Sequence, residues 1–245
     1  MADSMEADRH CLVTGANRGL GLEFVRQLLA RGERVIAACR HPGRATALNT
    51  LAGEHPGRLH VLPLDVTVAR SREELLHELP LVLDGARLGL LINNAGVLPG
   101  GGRFGQVTDA DLDTSLRTNA IGPFLLTQVL APLLADGEGA HAGAVVANLS
   151  SEIGSIAGRQ EFRTPSYAIG KAAQNMGSVL LAQALAPRGI RVVALHPGWV
   201  RTDMGGPQAT VSAGDAVAAL LRVIEGLGPD TSGVFLDRHG QPIPW

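Results

Sequence analysis

Short apolar runs of strand length alternate with longer amphipathic stretches along the chain, and that alternation leaves few folds open. HCLVTG, RVIAACR, RLHVLPLDV, RLGLLINNAG, GAVVANLSS, IRVVALHPG and SGVFLD are the seven runs. Between them, apolar residues recur at helical spacing. In LGLEFVRQLLARG, for example, Leu22, Val25, Leu28 and Leu29 share a face and Gly32 supplies a stop. Further helices are expected from about Gly43 to Leu51, over SREELLHEL, and roughly from Asp109 to Leu134, Ser166 to Leu185 and Ala213 to Leu227. Strands that are apolar on both faces and separated by helices belong in a parallel sheet covered on both sides. The reading is an α/β fold: one doubly wound domain over residues 10–245, with a seven-stranded parallel sheet and a flexible tail over 1–9. Its ligand is expected at the carboxyl ends of the strands.

Composition narrows the function classes. A formal net charge of −2 gives no reason to expect nucleic acid or an anionic membrane as partner. MADSMEADRH lacks an apolar core, and no apolar run reaches membrane-spanning length. Two cysteines, Cys11 near the start of the first strand and Cys39 at the end of the second, read as free thiols of a cytoplasmic protein. The eight histidines show no ligand spacing, so no metal is expected.

The first strand ends in TGANRGLG, where Gly15, Gly19 and Gly21 straddle the junction with the first helix. Glycines there let the backbone turn sharply and bring a diphosphate close to the helix amides, as in Rossmann-type domains. Asn17, Arg18 and Leu20 complete the turn.

SYAIGK contains the only tyrosine and the only lysine of the chain. Residues four apart share a helix face, so Lys171 lies beside Tyr167. An ammonium next to a phenol favours phenolate and lowers a pKa that is ordinarily about 10. Tyr167 is thus the candidate general acid in reduction, with Lys171 expected to lower its pKa.

The G-x-x-x-G-x-G spacing, Asn93-Asn94-Ala95-Gly96 after the fourth strand and the Tyr-x-x-x-Lys pair together resemble the short-chain dehydrogenase/reductase family. The resemblance runs from about His10 to Trp245. HPGWVRTDMGG and GVFLDRHGQPIPW look most like its C-factor and Sniffer-type carbonyl reductase branch. It implies that Asp65 and Val66, at the end of the third strand, hold an adenine, and that Asn94, Ala95 and Gly96 form a loop beside the cofactor. It also implies that Pro197, Gly198, Val200 and Thr202 wall the nicotinamide and that Lys171 holds its ribose. Of Ser150 and Ser151, which alternation points in opposite directions, the family pattern selects Ser151 as catalytic. Asn119 is implied to support a water connecting to Lys171, or else to bond backbone only.

Dinucleotide folds that select NAD carry an acid at the end of the second strand. Here that position reads Ala38-Cys39-Arg40, and Arg18 lies in the glycine loop. Two guanidinium groups suit a 2′-phosphate, so NADPH is the expected cofactor. Ile153, Phe162, Trp199 and Met204, with Ser151, are the expected substrate pocket. The expected reaction is hydride transfer to a ketone or aldehyde. A signalling or NAD(P)-sensing role, and a biosynthetic ketoreductase or alcohol dehydrogenase, are the alternatives. The resemblance also implies a homodimer or homotetramer.

Overall fold

The computed structural model describes residues 9–100, 102–137, 143–228 and 231–245. Apart from Arg9, which pairs with Glu33 at 2.9 Å, the expected tail lies outside the described residues.

The strands are β1 (His10–Thr14), β2 (Arg34–Cys39), β3 (Leu59–Pro63), β4 (Leu88–Asn93), β5 (Val145–Leu149), β6 (Arg191–His196) and β7 (Val234–Asp237). They form one seven-stranded sheet in the order β3-β2-β1-β4-β5-β6-β7, and every pairing is parallel. The chain reverses its direction of winding between β1 and β4, which opens a crevice at their carboxyl ends.

Side-chain alternation divides the core into two layers. Cys11 and Val13 of β1 face α1 (Gly19–Ala30) and α7 (Ala213–Glu225), where Phe24, Leu28, Leu220 and Leu221 bury. Leu12 faces the opposite side, with Leu75 and Leu79 of α3 (Ala69–Leu83), Leu126 of α5 (Gly122–Leu130) and Leu181 of α6 (Pro165–Leu185). Both cysteines are free and buried. No helix among the described residues is long and apolar enough to cross a membrane.

Four boundaries differ from the sequence reading. The helix expected from Gly43 splits into a 3₁₀ turn, Pro42–Arg44, and α2, Thr46–Glu54. α3 runs past SREELLHEL and carries Pro80 inside it. β3 stops at Pro63, so Asp65 and Val66 lie just beyond the strand. The single helix expected from Asp109 to Leu134 is α4 (Asp109–Leu116), a π-turn over Arg117–Ile121, α5 and a 3₁₀ turn over Ala131–Leu133. Such π-turns often occur at functional sites; this one carries Asn119.

Candidate active site

The glycine turn is locked to the loop after β4. Thr14 Oγ1 accepts from the backbone N–H groups of Asn94 (3.1 Å) and Ala95 (3.0 Å). Asn94 Nδ2 returns bonds to the carbonyls of Thr14 (2.8 Å) and Gly15 (3.1 Å). Gly15 holds φ +62° and a Cβ there would lie 2.9 Å from Ala95 Cα, so no side chain is admitted. Arg18 occupies the N-cap of α1 with no side-chain cap, leaving the first amides of the helix for an anion.

From this turn a cavity of about 960 Å³ runs across the carboxyl ends of the strands. It is lined at one end by Gly15, Asn17, Arg18, Gly19 and Leu20 and at the other by Ser151, Tyr167 and Lys171. Gly21 does not line it; it packs beneath the turn, where a Cβ would lie 2.3 Å from the Gly15 carbonyl.

At the far end the two serines have separated. Ser150 donates to Asn175 Oδ1 at 2.6 Å and is buried against α6. Ser151 accepts from Ile153 N at 3.3 Å and faces the Tyr167 phenol, whose pKa it pulls downward. Lys171 Nζ, 5.6 Å from the centre of the Tyr167 ring, donates to Leu149 O at 2.6 Å and to Gln174 Oε1 at 2.9 Å. Burial pushes the Tyr167 phenol up to about 12, against the pull of the Ser151 hydrogen bond, and brings Lys171 down to about 7. The lowering of the Tyr167 pKa expected from its neighbour is therefore not found. Desolvation disfavours both charged forms and outweighs their proximity.

Asn119, wholly buried, accepts from Val97 N (2.9 Å) and donates to Val97 O (2.9 Å) and Ser115 Oγ (3.0 Å). It is anchored by backbone and a serine rather than turned to the cavity. A Cβ on Gly96 would lie 3.2 Å from Asn119 Oδ1 and 3.9 Å from Lys171 Nζ, which places the loop between the two side chains.

Arg40, His41, Arg44, Asp65, Val66 and Thr67 also line the cavity, at the carboxyl ends of β2 and β3. Asp65 Oδ1 is turned inward by Thr67 N (2.9 Å) and Thr67 Oγ1 (2.7 Å). Arg18 reaches across to Asp203 at 2.8 Å, joining the glycine turn to the loop after β6. Arg44 was not anticipated. Its signal was the Pro42-Gly43-Arg44 turn, which folds the chain back toward Arg40.

Asn94, Ala95, Gly96, Pro197, Gly198, Val200 and Thr202 all line the cavity, as do Ile153, Trp199 and Met204. Phe162 does not. It turns outward, half-exposed, into an edge contact with Phe104 at 5.7 Å, while Arg163 and Thr164 face the cavity instead. No group of three or more His, Cys, Asp or Glu among the described residues is placed to hold a metal.

The sequence model of the family described as "short chain dehydrogenase" matches residues 9–211. The chain belongs to that family. Its relatives include the C-signal protein of Myxococcus xanthus, 43% identical over 64% of this chain and 92% of that one. An NADPH-bound carbonyl reductase from chicken fatty liver superposes with a TM-score of 0.89 at 38% identity, covering 97% of this short-chain dehydrogenase and 99% of the chicken chain. The carbonyl reductase Sniffer of D. melanogaster gives 0.90 at 32% identity, with the same coverages.

Proposed function

We propose that the protein is a cytoplasmic NADPH-dependent carbonyl reductase that converts a ketone or aldehyde to an alcohol, with Tyr167 as general acid. The observation that carries this is one continuous cavity joining an uncapped, glycine-lined helix start to the Ser151, Tyr167 and Lys171 side chains. When bound, NADPH supplies the hydride. Gly15, Asn17 and Gly19 with the first amides of α1 would hold its diphosphate, and Asp65 and Val66 its adenine. Ser151 orients the substrate oxygen by hydrogen bonding, and Tyr167 delivers the proton to it. A phenol whose pKa lies near 12 holds its proton throughout the neutral range, so the proton is present when the substrate arrives. The NADPH complex of the chicken enzyme supports the choice of cofactor.

NADPH oxidation measured by absorbance with a panel of ketones and aldehydes tests the reading; no turnover with any of them would overturn it. Similarity to the C-signal protein favours a second reading, a signalling or cofactor-sensing role with little chemistry. A sensor needs the glycine turn but not Ser151 and Tyr167 in contact. Substrate oxidation by an alcohol dehydrogenase would use the same residues in reverse. Ile169, Met176 and Leu180 leave an exposed apolar strip on α6, which supports pairing with a second copy.

Two expected results follow from side-chain placement. Ser151→Ala lowers kcat on the order of a hundredfold and costs no more than about 1 kcal/mol of stability, for the lost cap on Ile153 N. Ser150→Ala leaves kcat within a few-fold but costs about 1–2 kcal/mol in urea unfolding, because the buried Asn175 loses its partner. The opposite pattern would reassign the catalytic serine. Replacing Arg40 by Asp and Arg44 by Ala together lowers the NADPH-to-NADH ratio of kcat/KM by about a hundredfold, since charge-assisted contacts to a phosphate are lost. An unchanged ratio would place the 2′-phosphate elsewhere.

A further inference from the structure

Gln174 sits one turn after Lys171 on α6 and is buried, with 3% of its surface exposed. An ammonium has only donors, so the atom facing it must be the amide oxygen, and Gln174 Oε1 accepts from Lys171 Nζ at 2.9 Å. The amide nitrogen at the other corner is buried and has no hydrogen-bond partner. A glutamine held for structure would have both ends satisfied, because an orphaned buried donor costs stability that a leucine would not. What the side chain gains is the contact with Lys171 alone.

We propose that Gln174 is a positioning residue: with the Leu149 carbonyl it holds Lys171 as an ammonium beside Tyr167, leaving the third N–H for the cofactor ribose. The proposal rests on the reading above, in which Lys171 serves the reaction.

The surroundings of Lys171 make Gln174 decisive. Tyr167 is the titratable neighbour on α6. From β5 come the Leu149 carbonyl and, beyond it, the Ser151 hydroxyl. The 3₁₀ turn Glu152–Gly154 packs the Gly154 backbone against Lys171, and Glu152 itself turns to His196 at 3.6 Å. The π-turn brings the Asn119 amide, across Gly96; α4 packs Ser115 against Gly170, and its Asp113, on the same cavity wall, is paired with Arg117 at 2.7 Å. Burial is the sole influence lowering the Lys171 pKa to about 7, and no carboxylate offsets it. Among the described residues, the Gln174 amide is the side-chain acceptor that faces this ammonium.

Because the chain has one lysine, incorporation of ¹³Cε-lysine gives one NMR signal whose pH titration reports Lys171 directly, without cofactor or turnover. Gln174→Leu, of similar size, should lower that midpoint by about one pH unit, since a hydrogen bond to the charged form is lost. Gln174→Glu should raise it above wild type. The alkaline limb of kcat should move with each. Loss of packing would instead expose Lys171 and raise the midpoint toward about 10 in both variants. A midpoint in folded Gln174→Leu that is unchanged or raised would overturn the proposal. Absence of turnover in the wild type would sink the carbonyl reductase reading but leave the NMR result intact.

Discussion

Tyr167→Phe should abolish reduction, with kcat falling by about a thousandfold while the dissociation constant for NADPH stays within a few-fold. Phenylalanine fills the same space beside Lys171 but has no proton to give. Positioned general acids contribute on the order of 10²–10⁴ in rate, and Tyr167 brings a donor hydroxyl to the cavity wall beside Ser151 and Lys171. Steady-state kinetics beside fluorescence titration of NADPH would separate the two effects. A variant retaining a tenth or more of wild-type turnover would remove Tyr167 from the reaction. Equally low residual turnover in wild type and variant, with intact binding, would favour the sensing role.

Gly21→Ala is expected to cost about 3 kcal/mol of stability and to weaken NADPH binding at least about tenfold, although Gly21 does not line the cavity. Its Cβ would lie 2.3 Å from the Gly15 carbonyl and 2.5 Å from Asn94 Nδ2, and the first of these is backbone that cannot step aside. Relief requires α1 to move away from β1, which breaks the Asn94 bonds that shape the turn. Gly53→Ala is the contrasting case: in α2, with nothing within 4 Å, it should stabilise by about 0.5–1 kcal/mol through helix propensity. Urea unfolding of both variants checks the pair. Equal effects would mean that the close approach of α1 to the turn is not what requires Gly21.

The layers of the molecule could be read from periodicity because both faces of the sheet are covered, so the strands are apolar runs and the helices carry stripes. The ends of elements were less legible. Asn119 lies on a π-turn between α4 and α5, and nothing in RTNAIGPF separates that turn from continuous helix. The turn is selected by what it meets: Asn119 ties to Val97 across the loop after β4, and Gly122 leaves no space for a Cβ against Val66. Phe162 was misplaced for a related reason. Its apolar character pointed to a pocket, but the loop turns it toward Phe104, a residue far away in sequence.

Sequence alone determined the fold class, the glycine turn and the pairing of Tyr167 with Lys171 on one helix face, because each depends on residue type and short-range spacing. Only the tertiary structure decided their electrostatics. Four residues of helical spacing place an ammonium near a phenol, but whether the pair is charged depends on how much water the surrounding elements exclude. Here they bury Lys171 completely enough to bring it to about 7 and Tyr167 up to about 12. What stands opposite Ser150 and Ser151 was likewise decided by the fold, Asn175 for one and Tyr167 for the other.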